Sequence, residues 1–409
     1  MRLVFWLFFV FNCSAFAQDH IEKLGVFNIY HDSDYSTHNP SAVAMQMGFM
    51  TALNEVGNTV NGYQINFLEK DNRGNSNRSF LTMKRFLNDP KGLAILGGLH
   101  SPPYIKYRDF INENGLLLLV PWAAGGPITR YPNVKNWVFR LSLDDTKAGM
   151  KMVEYATQIL KCNSVDLLLE NTPWGISNHK TMTNALGSAI PNNVYWFNWN
   201  VKLSQASILL KEIEQSKSDC VLFVGNAVEG KYFVKAMANL PKEKQKPIVS
   251  HWGITGGDFF NSVSGELNNG LPLYFLQSCF DLNRPDLDLH TQQVLDIAAK
   301  LFPDEFKQKK HLLAPAGFVH GYDIGKILIA AMNDVDLVAQ VNTVRDRVRK
   351  KLEELDKPIT GLMKVYQRPY SIWSEDNPDA HEALGAEDIC MAQFNNTGQI
   401  HIITPQREL

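Results

Sequence analysis

"AILGGLHSPPYIKYRDFINENGLLLLVPWAAGGPITR", residues 94–130, contains two apolar runs that each end in a cluster of Gly, Pro and Ser. Continuous apolar runs at 93–98 and 115–121 predict strands that are covered on both faces, and the amphipathic segment between them predicts a helix. A strand–helix–strand unit indicates parallel pairing. Because ligands bind outside the carboxyl ends of open parallel sheets, "GGLHSPP" and "PWAAGG" are predicted binding loops.

The same alternation of strand-like and helix-like segments extends through most of the chain. Further strands are predicted at 24–30, 64–69, 137–142, 165–170, 194–200, 220–225, 247–253 and 273–279. Two successive sets of this kind predict an α/β fold with two doubly wound, Rossmann-like lobes of parallel strands. We expect lobe one to comprise 18–142 and 277–384, and lobe two 143–276 and 385–409, with short strands carrying the chain across a hinge. Two long helices are predicted at 314–333 and 338–355, and 368–396 has an irregular pattern.

Size and composition narrow the possible functions. A chain of 409 residues is longer than one hydrophobic core usually serves, which supports two domains. The net charge of −2 and the lack of a basic block argue against nucleic acid or an anionic membrane as a partner. The four cysteines that follow the N-terminal segment allow two disulfides in three connectivities, and their spacing matches no zinc motif.

The N-terminal segment "MRLVFWLFFVFNCSAFAQDH" has the features of a secretory signal peptide. Arg2 forms a short positive region, residues 3–11 are apolar, and Ala15 and Ala17 form a small-x-small cleavage site. The apolar run is too short to span a bilayer. A lipoprotein anchored at Cys13 is the alternative, but the residues before it lack the small side chains of a lipobox. We therefore expect residues 1–17 to be removed and the protein to reside in the periplasm.

Tryptophans mark several of the predicted strand-end loops. Trp122, Trp174 and Trp252 lie in "VPWAAGG", "NTPWG" and "SHWGITGG", each beside Gly or Pro. A single tryptophan is usually part of a core, but three from separate strand-end loops predict the walls of a small-molecule pocket. Polar residues in or near the same loops are Ser101, Thr129, Asn171, Asn226 and His251.

Two motifs suggest other chemistries and are weaker. "GNAVEGKY" (225–232) resembles a phosphate-binding loop, but Tyr232 replaces the magnesium-binding hydroxyl, so an ordinary strand-to-helix turn is expected. "HDSDYSTH" gathers His31, Asp32, Asp34 and His38, yet the spacing fits no tetrahedral metal site. We interpret it as a polar cleft loop that caps the next helix. A metal-dependent hydrolase built on this loop remains a distant alternative, and no cofactor, metal or catalytic residue is assigned.

Over nearly all of the mature chain, the order of these motifs resembles the Leu/Ile/Val-binding branch of the type I periplasmic binding proteins. The segments that carry the resemblance are "EKDNRGNSNRSFLTMKRFLNDPKGLAILGGLHSPP" (69–103), "LLLLVPWAAGGPIT" (116–129), "ENTPWG" (170–175) and "HGYDIGKILIAAM" (320–332). The resemblance implies two lobes joined by three crossovers that close on a ligand. It also implies a solute receptor of an ABC importer, without catalysis, that works with an inner-membrane permease.

The family's ligand contacts carry over to seven positions of this chain: Ser101, Trp122, Ala123, Ala124, Trp174, Asn226 and Trp252. In amino-acid-binding members, hydroxyls and backbone amides of the first two loops hold the ligand carboxylate, and an acid holds its ammonium. Here Pro102 offers neither hydroxyl nor N–H, Ala124 lacks a hydroxyl, and Trp252 replaces the acid. Since an unpaired buried charge is costly, we expect an aromatic, apolar or soft cationic ligand rather than a free α-amino acid.

Two further expectations accompany this fold. In a doubly wound lobe the strands that begin near Cys162 and Cys220 are neighbours, so these residues are predicted to form a disulfide. Cys279 and Cys390, both near presumed crossovers, are the second predicted pair. The protein is expected to be a monomer that binds a small molecule. A periplasmic sensor that passes its closed state to a membrane receptor is the main alternative to an importer.

We predict that the mature protein begins at Gln18, because Ala15 and Ala17 supply the small residues that signal peptidase requires. N-terminal sequencing of protein recovered from the periplasmic fraction checks this. Recovery of a lipid-modified Cys13 from the membrane fraction would contradict it.

Overall fold

The computed structural model describes residues 25–188, 190, 192–307 and 312–403. The predicted signal peptide lies outside these residues. Within them, no helix is long and apolar enough to cross a membrane.

The sheet of lobe one has six strands in the described residues, in the order β2-β3-β1-β4-β5-β6. They are β1 (Gly25–Ser33), β2 (Thr59–Val60), β3 (Tyr63–Asp71), β4 (Gly92–Gly97), β5 (Leu118–Val120) and β6 (Val138–Arg140). All neighbours pair in parallel except β2 and β3, which form an antiparallel hairpin. Asn61 and Gly62 close that hairpin, both with positive φ, as the Asn-Gly pair of a two-residue turn requires.

The sheet of lobe two has seven strands in the described part of the chain, in the order β15-β14-β11-β10-β9-β7-β8. They are β7 (Val165–Glu170), β8 (Asn192–Phe197), β9 (Cys220–Val224), β10 (Ile248–Ser250), β11 (Leu273–Ser278), β14 (Ile389–Phe394) and β15 (Ile400–Ile402). The central strands are parallel, as predicted, whereas β14 and β15 pair antiparallel. The prediction of irregular structure over 368–396 is therefore wrong at β14, because a short antiparallel strand has no long apolar run to reveal it.

Helices cover both sheets. The helices between the strands of lobe one, together with those after β11, are α1 (Asn39–Asn54), α2 (Ser76–Leu87), α3 (Pro102–Lys106), α4 (Arg108–Glu113), α10 (Leu289–Leu301), α11 (Pro303–Lys307), α12 (Pro315–Asn333) and α13 (Val341–Glu353). Those among the strands of lobe two are α5 (Asp145–Glu154), α6 (Pro173–Leu186), α7 (Leu203–Gln215), α8 (Ala227–Ala238) and α9 (Phe259–Asn268). A small hairpin of β12 (Ile359–Thr360) and β13 (Val365–Tyr366) follows α13.

Glycines allow helices α1 and α12 to pack backbone against backbone. A Cβ atom at Gly48 would lie 2.0 Å from the carbonyl oxygen of Phe318, and one at Gly321 would lie 2.3 Å from that of Met45. Only glycine tolerates so close an approach. Helix α12 is buried along most of its length, which explains why its predicted segment is apolar on nearly every side.

Within the described residues, the chain passes between the two sheets three times: after β6, after β11 and before β14. This is the type I periplasmic binding topology that the sequence predicts, with two Rossmann-like lobes. The limits of the two domains, 18–142 with 277–384 and 143–276 with 385–409, stay a prediction.

A buried ion pair joins the first and third of these connections. Arg140, the last residue of β6, donates from Nε to Glu382 Oε2 (2.8 Å) and from Nη2 to Glu382 Oε1 (2.5 Å). Both side chains are almost fully buried. The remaining nitrogen, Nη1, donates to the carbonyl oxygens of Ala123 (3.2 Å) and Gly125 (2.9 Å). Arg140 thus fixes the loop that follows β5, which is one of the predicted binding loops.

Both predicted disulfides are confirmed. Cys162 and Cys220, at the starts of neighbouring strands β7 and β9, have Cα atoms 6.1 Å apart. Cys279 and Cys390 link the end of β11 to β14, with Cα atoms 5.0 Å apart. The second bridge also closes the longer loop, of 111 residues in sequence separation.

We expect Glu382→Gln to lower the free energy of unfolding by about 3–5 kcal/mol, because it leaves the buried Arg140 guanidinium without its counter-charge. Glu375→Gln, an exposed position in the same segment, should change it by less than about 0.5 kcal/mol. Urea unfolding followed by circular dichroism measures both. Equal midpoints for Glu382→Gln and the wild type would show that the pair is not needed for stability.

Candidate functional site

The candidate site lies where the carboxyl ends of the two sheets face each other. Lobe one contributes the loops after β4 and β5, and lobe two contributes the loops after β7, β9 and β10. These are the strand ends at which open α/β sheets bind ligands. Together the loops close on a small cavity of about 10 Å³.

The structure brings six of the seven predicted site residues to this cavity: Ser101, Trp122, Ala124, Trp174, Asn226 and Trp252. Ala123 does not line it. Its side chain is fully buried, and its carbonyl accepts the hydrogen bond from Arg140. Of the nearby polar residues, Asn171 is exposed and Thr129 donates to Glu382, so neither reaches the cavity.

The three tryptophans have both roles that the sequence left open. Their exposed fractions are 2% for Trp122, 6% for Trp174 and 2% for Trp252, and all three belong to the hydrophobic core. They also line the cavity, from both lobes. Trp122 packs against Gly317 of α12, where a Cβ atom would lie 2.8 Å from the indole ring. The walls of the cleft are therefore held by the core behind them.

Asp145 was not among the predicted site residues. Its hydrogen bonds hold the residues that line the cavity in place. Its Oδ1 accepts hydrogen bonds from Trp174 Nε1 (3.1 Å) and Asn178 Nδ2 (2.7 Å), and its Oδ2 accepts one from Gly126 N (3.2 Å). Asp145 is fully buried. It thereby links the lobe-one loop after β5 to the lobe-two tryptophan. In the sequence it appears only as the second of two aspartates at the start of α5, and the first of them, Asp144, is the N-cap of that helix.

His251 fills the space between two of the tryptophans. Its ring centroid lies 4.9 Å from that of Trp174, nearly perpendicular to it, and 3.8 Å from that of Trp252. Burial lowers the pKa of His251 although Nε2 lies 3.4 Å from Asp145 Oδ1, so the ring is neutral at neutral pH. Nδ1 has no hydrogen-bond partner among the described residues and is free to meet a polar group of a ligand.

Glu170 places a carboxyl group in the cavity wall. It ends β7, its Oε1 accepts from Thr172 Oγ1 (2.9 Å), and its Oε2 accepts from Asn226 Nδ2 (3.4 Å). Burial raises the pKa of Glu170 to about 7, and the neighbouring charge of Glu229 adds to the effect. The sequence analysis quoted Glu170 within "ENTPWG" but gave it no role. Its position could have indicated a role in the site, since in the described part of lobe two it is the one acid that directly ends an apolar strand.

The loop "HDSDYSTH" does not form a single cluster. His31 Nδ1 lies 2.6 Å from the Tyr35 hydroxyl, and Asp32 accepts a hydrogen bond from Tyr104. Asp34 instead meets His38 and a residue from the loop after β4, His100. The sequence-based interpretation as a polar cleft loop fits this placement, although His38 caps α1 without a side-chain hydrogen bond.

A larger groove, of about 220 Å³, lies near the start of α9 and the segment before α12. It is lined by apolar side chains such as Phe259 and Leu282, and Asp258 is its one ionisable residue among those described. Unlike the strand-end cavity, the groove is not bordered by the loops after β4, β5, β7 and β9. The strand-end cavity is therefore the better candidate for a specific ligand site.

Comparison with known proteins agrees with this architecture. Residues 32–378 match the family model described as periplasmic binding protein. A leucine-binding protein of Thermotoga maritima has 14% identity and a TM-score of 0.73, over 92% of this chain and 98% of that one. A branched-chain amino acid transporter substrate-binding protein of Streptococcus pneumoniae, in complex with isoleucine, has 17% identity and a TM-score of 0.72, over 93% and 100%.

A solute-binding protein of an R. palustris ABC transporter, in complex with benzoate, has 16% identity and a TM-score of 0.70, over 93% of this chain and 96% of that one. No curated protein matches the chain. Proteins of the matched family are periplasmic solute-binding proteins and not enzymes, which removes the metal-dependent hydrolase from consideration. The family match over most of the sequence and the two-lobed fold together show that the chain belongs to the periplasmic binding protein family, in its type I form.

Proposed function

We propose that this protein binds a small organic cation, such as a quaternary amine, between its two lobes and delivers it to an ABC permease. One observation carries the proposal. Three tryptophans and one carboxyl group, that of Glu170, line the cavity, and no Lys or Arg is among its described lining residues.

The chemistry of the lining favours a cation over the alternatives. Each desolvated indole face can stabilise a cation by about 2 kcal/mol, and a buried carboxylate supplies the opposite charge. An aromatic acid such as benzoate would bring a negative charge to a cavity that already contains Glu170. The relatives compared above are a leucine-binding protein and proteins in complex with isoleucine or benzoate, and at 14–17% identity what they share with this chain is the fold.

A free α-amino acid has too few partners for its carboxylate here. Ser101 Oγ accepts a hydrogen bond from Gly125 N (3.0 Å), which leaves one hydroxyl proton to donate. Pro102 has no N–H, and Ala124 has no hydroxyl. At about 10 Å³ the cavity is far below the range of about 300–1,000 Å³ for ligand pockets, so the two lobes must separate to admit a solute.

The proposed role in import depends on closure of the two lobes around the ligand. A ligand that contacts both lobes stabilises the closed form, and a permease can recognise that form. Loss of cation uptake in a deletion strain supports an importer. Normal uptake together with a lost cellular response to the cation would instead favour the sensor that the sequence left open.

A thermal-shift screen identifies the ligand class, because a solute that binds only the folded state stabilises the protein by mass action. At 100 times the dissociation constant the expected stabilisation is about 2.7 kcal/mol. The screen compares choline and related quaternary amines with benzoate and leucine. A shift with benzoate or leucine and none with any amine would refute the cation proposal.

For the amine found in that screen, we predict that Trp174→Ala combined with Trp252→Ala weakens binding at least about tenfold. Two lost indole faces exceed the about 1.4 kcal/mol that corresponds to one decade in affinity. Isothermal titration calorimetry measures the change, and Trp196→Ala, an exposed tryptophan of β8, is the control. Unchanged affinity in a correctly folded double variant would mean that the two rings serve only the core.

We also predict that affinity for the same amine rises up to about tenfold between about pH 6 and about pH 8. The quaternary charge does not titrate, whereas Glu170, with a pKa near 7 in the free protein, becomes ionised over this interval. Glu170→Gln should bind more weakly and lose the pH dependence. The exposed Glu243→Gln should keep it. An undiminished pH dependence in Glu170→Gln would assign the effect to another group.

A further inference from the structure

Three side chains of lobe one converge at the edge of the cleft. Asp34 follows β1, His38 begins α1, and His100 follows β4. Strands β1 and β4 are neighbours, so their carboxyl ends bring these loops together. In the described part of the chain, this is the one group of three or more His, Cys, Asp or Glu side chains whose ligand atoms lie within 4.8 Å of one another.

We propose that Asp34, His38 and His100 bind a divalent first-row transition metal ion such as Zn²⁺. Two imidazole nitrogens and one carboxylate oxygen are a donor set that such ions use. His38 Nδ1 lies 2.9 Å and His100 Nε2 lies 3.2 Å from Asp34 Oδ2. These separations are close to the about 3.3 Å between ligand atoms in a tetrahedral zinc site with bonds of about 2.0–2.1 Å.

The donors are already oriented for this geometry. Thr37 N donates to Asp34 Oδ1 (2.8 Å), so the second carboxylate oxygen, Oδ2, faces the two imidazoles. Hydrogen bonds of this kind orient the ligands of metal sites. The imidazole rings are held perpendicular to each other, with centroids 4.7 Å apart.

Gly74 leaves space beside two of the donors, Asp34 and His100. A Cβ atom at this position would lie 3.3 Å from Asp34 Oδ2 and 3.4 Å from His100 Nε2. Gly74 also has a φ of +65°, which favours glycine. Because no side chain occupies this space, an ion or its bound water can be accommodated there.

The site touches the opposite lobe. The ring of Trp199, in the loop after β8, lies 5.1 Å from that of His100. His100 itself lines the ligand cavity beside Ser101. Three protein ligands leave at least one coordination position for water or for an oxygen atom of a bound solute. The metal would therefore be held where the two lobes meet, at the entrance to the ligand cavity.

Metal binding is tested with tag-free, chelator-treated protein and Zn²⁺ alone, so the result does not depend on the proposed cation ligand. Calorimetry and elemental analysis should give one zinc ion per chain. His38→Gln and His100→Gln should each weaken zinc binding at least about tenfold, since each removes a ligand. The matched control is His31→Gln, a buried histidine near the end of β1 that is bonded to Tyr35, which should bind zinc like the wild type.

A second measurement uses only the wild type, in case a variant does not fold. Anomalous diffraction from zinc-soaked crystals should place one peak between the side chains of Asp34, His38 and His100. No stoichiometric zinc in the wild type, unchanged affinity in both folded variants, or a peak at another position would each overturn the proposal.

Discussion

The carboxylate of Asp145 is the constraint on which the closed cleft depends. It is fully buried, and a buried carboxylate must have hydrogen-bond partners. Its partners come from both sides of the cleft: the backbone of Gly126 after β5, and the side chains of Trp174 and Asn178 on α6. Because Asp145 stands at the first connection between the lobes, the position of the lobe-two tryptophan is set by the lobe-one loop. Arg140 holds that same loop from its other side, through the carbonyls of Ala123 and Gly125.

The balance of charge differs sharply between the hinge and the cleft. At the hinge, Arg130, Arg140 and Lys147 are matched by Asp144, Asp379 and Glu382. In and beside the cleft, Asp34 and Asp145 face imidazoles instead, and Glu170 accepts hydrogen bonds from Thr172 and Asn226. Burial lowers the pKa of His100 to about 4 and also lowers that of His251, so these rings are neutral. Burial raises the pKa of Asp34, but hydrogen bonds from His100 and His38 outweigh it and keep the acid ionised. In both proposals, an organic cation in the cavity and a metal ion at its edge, the cation lies beside a carboxylate that has no Lys or Arg partner among the described residues around it.

Chains with very different sequences form this fold. Relatives at 14–17% identity have the same two-lobed fold over almost their whole length. Buried strands and amphipathic helices can be built from many apolar sequences, provided that volume and pattern are kept. The strand-end loops are not bound by this pattern, and here three of them carry a tryptophan that lines the cavity. A shared fold therefore does not transfer the ligand of one member to another.

The sequence by itself determined the fold class, the central strands, the two disulfides and the loops that face the cleft. These depend on local periodicity and on the rule that parallel strands end at one edge of a sheet. Only the tertiary structure decided which acids serve the site. Asp145 and Glu170 act through partners that are distant in sequence, and the sequence predicted no role for either of them. The sequence also did not group Asp34, His38 and His100. The two histidines are 62 positions apart, and only the neighbouring positions of β1 and β4 bring them together. The antiparallel strand β14 was also missed, since a short antiparallel segment has no long apolar run in the sequence.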